Sequence, residues 1–271
     1  MKQNYLSEVI YQIFALIIVV ILVHAVYVAV IRPNADYVEQ QQTLMQEADE
    51  SYVPERSLYI ILRDIEQETC IILMLWALSI IGMKTRRTMQ ERALLDRELL
   101  QVSEGISILP EDARHYARPV QALPDLEKTY LPPRALLAGL HRFGSTRSIQ
   151  DASDTIKDIC NSESDRLDSE LSIVRYIAWA IPSIGFIGTV RGIGAALSQA
   201  HQAVSGDILG VTVSLGVAFN STFVALVTSI LLMFLLHQLL LLQDRLVLDT
   251  QSYCDEHLLR YLQVPDKELL E

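Results

Sequence analysis

Apolar residues gather into four blocks separated by polar stretches: Val9 to Ile31, Thr69 to Met83, Ile173 to Leu197 and Ile208 to Leu242. A bilayer core asks for about 20 apolar residues of helix, so the first, third and fourth blocks are each long enough to cross. The second is short. Arg63, Asp64, Glu66 and Glu68 precede it and Lys84, Arg86 and Arg87 follow it, so it crosses only if its ends snorkel or the bilayer thins. A buried helix in a soluble domain is the other reading of a block that short. The first block lies near the N-terminus, but its run exceeds the roughly 7 to 15 residues of a secretion-signal core. Ile31-Arg32-Pro33 offers no small-x-small cleavage pattern either, so the block reads as a retained helix. The pattern predicts an all-α integral membrane protein with four transmembrane helices.

Beyond the blocks, Leu167, Leu171, Val174 and Ile177 keep a helical spacing into the third span. The fourth block exceeds what a crossing requires and continues past His237 and Leu242 toward Tyr253. Helices three and four are therefore expected to extend out of the membrane into a helical region. Met89 to Val102 is rich in Glu, Arg and Leu, and Ile149, Ala152, Ile156 and Ile159 recur about a turn apart, so both read as helical. Pro110, Pro119, Pro124, Pro132 and Pro133 lie between them and predict an irregular stretch. The expected organisation is a two-span region over 1–83 with an outer loop over 32–68, a helical segment over 84–170, a pair of spans over 171–243 and a tail over 244–271.

Charge orients this plan. Residues 84–170 hold 13 of the 22 Lys and Arg, residues 32–68 hold 3 and residues 198–207 none. Cytoplasmic flanks carry the basic excess, so 84–170 is assigned to the cytoplasm together with both termini. A net charge of −11 and a pI near 5.0 count against nucleic acid, which rewards clustered Lys and Arg. Cys70, Cys160 and Cys254 are far apart without metal-ligand spacing. No metal site and no cofactor are expected.

The third span reads Ala-Ile-Pro-Ser-Ile-Gly-Phe-Ile-Gly-Thr-Val-Arg-Gly-Ile-Gly-Ala-Ala over 180–196. It concentrates Pro182, Gly185, Gly188, Gly192 and Gly194, and Gly188 with Gly192 forms a small-xxx-small pair that lets helix backbones approach closely in lipid. In the fourth span Gly206, Gly210, Ser214, Ala218 and Thr222 fall four apart, with Ser221, Ala225 and Ser229 alongside. The two stripes predict a long helix–helix interface. A membrane Thr commonly bonds the carbonyl one turn back, whereas a hydroxyl facing a pore can coordinate or pass an ion. Neither span contains an Asp or Glu, so a carboxylate for proton transfer would have to come from another chain.

The run Pro182-Ser-Ile-Gly-Phe-Ile-Gly-Thr-Val-Arg-Gly, with Thr189 seven residues after the Pro, resembles the signature helix of ExbB and TolQ in the MotA/TolQ/ExbB proton channel family. Ala218-Phe-Asn-Ser-Thr222-Phe-Val-Ala-Leu resembles the family's next helix. The resemblance covers about residues 170 to 245. It implies a homopentamer around a single-span dimer like ExbD, TolR or MotB, with a proton or sodium ion passing an Asp on that partner and the flow turned into mechanical work. It places Thr189 and Thr222 on the ion pathway. Asn220 would line that path or bridge adjacent subunits. The inner membrane of a bacterium is the implied location.

Three features depart from that pattern. Arg191 stands where ExbB and TolQ tend to have a bulky apolar residue; a charge in a span is a functional candidate by default, and this one either snorkels outward or pairs with an acid of 32–68 or of a partner. Val217 stands where ExbB has a membrane Glu. Four spans resemble MotA, whereas ExbB and TolQ have three. His24 and His237 read as single histidines without partners, and no nucleophile–base pair or phosphate loop is present, so no enzyme is expected. From a different class, a non-conducting scaffold or sensor could use the same stripes only to oligomerise.

Overall fold

The computed structural model describes residues 2–48, 52, 57–100, 102, 106–204 and 208–264. Gly206 of the small-residue stripe lies outside them. Ten α-helices occur among the described residues: α1 Lys2–Val26, α2 Arg32–Ala48, α3 Leu58–Leu62, α4 Ile65–Arg92, α5 Ala113–Gln121, α6 Leu131–Thr146, α7 Ile149–Glu170, α8 Ser172–Ser198, α9 Ala200–Val204 and α10 Leu209–His257. Four stretches are long and apolar enough to cross a membrane: Ser7–Gln46, Ile65–Arg92, Ile149–Ser198 and Gly210–Tyr261. This is a multi-pass, all-α architecture, and its last two spanning helices run on into longer helical segments. The chain divides into two compact units, one of 1–82 with 173–236 and one of 83–172 with 237–271.

In the first unit, α1 does not end in a loop where the first apolar block stops. A π-helical turn, Tyr27–Ile31, carries it directly into α2, so much of the expected outer loop is helix. Such a turn is rare and occurs mostly as a single bulge inside a longer helix. Here it buries Tyr27 and sets the Arg32 guanidinium 5.9 Å from the centre of the Tyr27 ring. The short second block crosses because its helix starts earlier and ends later than its apolar run. The Trp76 indole ties it to α1 by donating to the Gln12 carbonyl at 2.9 Å.

The α8–α10 contact shows why its sequence is built from small residues. A methyl group added at Gly188 would lie 2.5 Å from Ser221 Cβ, and one at Gly192 would lie 2.7 Å from both Cβ and the backbone nitrogen of Ala218. At Gly185 it would collide with Ala225. Only glycine permits that approach. Pro182, inside α8, has no N–H to give the Ala178 carbonyl one turn back. Ser229 on α10 supplies the missing donor, its hydroxyl meeting the Ala178 oxygen at 3.1 Å. The proline notch and the serine facing it are thus one device, since a freed carbonyl in a span must find another partner.

The second unit packs α5, α6 and α7 with the end of α10 around Ile108, Val120, Leu136, Leu140, Phe143, Ile156 and Leu258. Two expectations are corrected here. Met89 to Val102 is helical only to Arg92; beyond it the chain turns so that Leu94, Leu99 and Leu100 enter the core. Tyr253 holds this non-helical backbone, its hydroxyl accepting from the Leu99 N–H at 3.0 Å and donating to the Arg97 carbonyl at 3.2 Å. The proline-containing stretch is not irregular throughout, because Pro132 and Pro133 occupy the first turn of α6, where an N–H has no intrahelical partner to lose. Glu91, buried, accepts the one free N–H there, that of Leu131, at 3.1 Å. Within the expected tail α10 runs on to His257 and a 3-10 turn follows at Leu259–Tyr261, and Ile108 pairs with Leu262 in an isolated parallel bridge.

Candidate functional site

Thr189 on α8 and Thr222 on α10 meet within the first unit. Their hydroxyl oxygens are in direct hydrogen-bond contact. Thr189 Oγ1 also lies 3.2 Å from the carbonyl oxygens of Gly185 and Ala218, and Thr222 Oγ1 lies 3.4 Å from that of Gly185. Two hydroxyls and two carbonyls therefore share one small region, possible only because Gly185 and Gly188 bring the backbones together. Each Thr keeps the back-bond typical of a membrane helix or an equivalent one across the interface. The pair is partly buried and has no charge of its own.

Two residues after Thr189, on another side of α8, Arg191 reaches α4. Its Nη2 donates to Glu66 Oε2 at 2.8 Å and its Nε lies 2.8 Å from Glu66 Oε1, a two-pronged pair. Asp64 adds a second carboxylate at 3.6 Å. Arg191 thus contacts two acids of 32–68 in its own chain. Glu66 is nearly fully buried and packs on the gap left by Gly188, its Cγ 3.2 Å from where a Cβ would stand. Spans three and four indeed lack acids, yet a carboxylate of this same chain reaches their interface from α4.

Two more polar residues follow Glu66 into the bundle. Gln67 is fully buried; its Nε2 lies 3.4 Å from Ser221 Oγ and its Oε1 has no partner. Glu68 is gripped by Arg32 at 2.6 Å and faces His24 Nδ1 at 2.7 Å. His24 is therefore not a histidine without a partner, as its isolation along the chain suggested. Sequence reasoning left Glu66 and Glu68 in the outer loop over 32–68. The signal that could have found them was the shortness of the second apolar block, which forces its polar flanks into the helix that crosses.

Asn220 is not brought together with the threonines. Residues two apart on a helix point to different sides, and Asn220 lines a separate cavity of about 690 Å³ with Glu39, Arg63, Gln199 and Val217. Glu39 and Arg63 form an ion pair there. Gly210 and Ser214 line the same cavity, with Gln199 occupying the space a side chain at Gly210 would take and lying 3.4 Å from Ser214 Oγ. Ala218 and Gly192 lie in the α8–α10 seam. His237 belongs to the second unit and lines a cleft there with Asp165 and Asp168. All three cysteines are buried thiols, and no group of three or more His, Cys, Asp or Glu suited to a metal occurs among the described residues.

Residues 129–252 match the model of the MotA/TolQ/ExbB proton channel family. That stretch is just under half the chain and takes in α6, α7, α8 and most of α10, with both threonines, the glycine seam and Arg191. The similarity begins well before residue 170, where the motif wording alone placed its start. No curated protein and no solved structure matches the chain.

Proposed function

We propose that this protein is a ring-forming subunit, a homopentamer, of an ion-driven motor or energiser complex in the bacterial inner membrane. It works with a single-span dimer of the ExbD, TolR or MotB kind, whose Asp accepts the travelling proton or sodium ion, and it converts that flow into rotation or pulling. Residues 84–170 face the cytoplasm, in keeping with their share of Lys and Arg, and four crossings put both termini on the same side. The observation that carries this reading is the Thr189–Thr222 hydroxyl pair at the closest approach of α8 and α10, inside the stretch that matches a proton channel family. Uncharged hydroxyls are poor proton carriers at neutral pH, and Glu66 already has both oxygens engaged by Arg191. Glu68 is likewise engaged, by Arg32 and His24, which supports a carboxylate supplied by a partner.

The test has two parts. Native mass spectrometry of the gently purified complex should give five copies of this chain with two copies of a small single-span protein bearing a membrane Asp. Thr222→Val should abolish gradient-driven flux through that complex while leaving its mass unchanged. Full flux in the variant would remove Thr222 from the path. An oligomer without such a partner would favour the scaffold, in which the glycine seams serve packing alone.

A further inference from the structure

The second unit contains a cleft between α5 and α6 of about 660 Å³. Its floor is apolar, formed by Ala113, Ala117 and Leu140, and Gly144 lets α6 approach α5 closely beside it. A Cβ at that glycine would stand 3.3 Å from both Ala113 Cβ and the Pro110 carbonyl oxygen. Its rim is cationic, with Arg114, Arg118, Arg147 and His141 against a single acid, Glu111. A concave site focuses the field of a rim of one sign on small counter-charged ligands.

Two observations separate this rim from an ordinary solvated surface. Arg114 and Arg118 are one helical turn apart, so both guanidinium groups rise from the same face of α5. Among the described residues neither has an ion-pair partner, and Glu111 meets only Arg147, at 3.7 Å with both side chains exposed. Arg147 itself caps α6 with φ 54°, the only non-glycine residue with positive φ among those described. That position ordinarily takes glycine because a Cβ is penalised there. A long cationic side chain thus stands at the mouth of the cleft where the backbone would prefer none, and a strained position of that kind points to a function.

We propose that this cleft is a binding site for a phosphate-bearing anion, held by Arg114, Arg118 and Arg147 over the apolar floor. Guanidinium groups match phosphate oxygens in forked geometry, and three of them suit a ligand with two phosphate groups or one phosphate beside a flat or apolar part. The site is independent of the ion pathway. Its ligand is either a free phosphate compound or a phospholipid headgroup, and the assay distinguishes them.

Isothermal titration of the full-length detergent-solubilised protein with pyrophosphate and with ADP tests the free ligands. Nanodiscs with and without phosphatidylglycerol, read by native mass spectrometry of retained lipid, test the headgroup. The decisive variant is Arg147→Gly, because glycine suits the backbone there: thermal stability should hold or rise while binding falls about tenfold or more, the loss of one charge-assisted contact. Arg147→Lys should retain part of the affinity, and Arg114→Ala with Arg118→Ala should abolish binding. Soluble binding with this pattern identifies a free phosphate compound, and lipid retention with this pattern identifies a headgroup. No binding in either arm, or equal binding by wild type and Arg147→Gly, would overturn the site.

Discussion

The glycine seam between α8 and α10 allows a quantitative test of what holds the first unit together. Gly192→Ala would place a methyl group 2.7 Å from Ala218 Cβ, 2.7 Å from the Ala218 backbone nitrogen and 2.8 Å from the Ser214 carbonyl oxygen. Ordinary contact begins at 3.4 Å, so α8 must retreat from α10 by roughly 0.7 Å, since backbone atoms cannot swing aside as a side-chain tip can. In lipid no hydrophobic force returns the helices to each other, and dispersion contacts are the main attraction. A gap of 0.5 to 1 Å forfeits about a quarter to a half of each contact's well. The expected loss is about 1–3 kcal/mol, the range for overpacking a tight core. The retreat also separates Thr189 from Thr222, which sit on the same seam. Gly194→Ala is the matched control, because nothing lies within 4 Å of a Cβ there and the helix gains up to about 1 kcal/mol of propensity. Unfolding of both variants in mixed detergent–SDS micelles, followed by helical circular dichroism, measures the difference. Ala218→Gly added to Gly192→Ala removes one of the three collisions and should restore only part of the loss. If Gly192→Ala proved as stable as Gly194→Ala, the close approach of these helices would be refuted.

Further outcomes follow from single contacts. Arg191→Leu leaves Glu66 buried without its counter-charge and should cost about 3 kcal/mol, whereas adding Glu66→Leu should recover most of that because the pair's desolvation is relieved with it; the same micelle unfolding checks both. Ser229→Ala strips the Ala178 carbonyl of the donor that replaces the one Pro182 lacks, and should cost about 0.6 to 1.7 kcal/mol, an effect that should shrink when Pro182 is also changed to Ala. Tyr253→Phe removes the acceptor for the Leu99 N–H and the donor to the Arg97 carbonyl. It should destabilise the second unit by about 1–3 kcal/mol, and faster proteolysis after Arg97 would report it.

The amino-acid sequence by itself determined the elements that depend on neighbours along the chain. Four apolar blocks set the four spanning helices, and glycines four residues apart announced the seam. Thr189 and Thr222 could each be singled out because each span carries its own motif, but their contact is a fact of the structure. Only the tertiary structure decided what depends on distant segments. Arg191 and Glu66 are separated by 125 positions, and nothing in either local pattern says that α4 delivers an acid to the gap above Gly188. Ser229 reads as one more small residue until Pro182 is seen to lack the N–H its neighbour needs. Prolines read as breakers became helix starts because a first turn has no hydrogen bond for them to lose. Asn220, two residues from Thr222, left the site because its helix turns it toward a different cavity. Periodicity reports which face of a helix is apolar or small; which other helix meets that face, and which charges arrive with it, is fixed by packing alone.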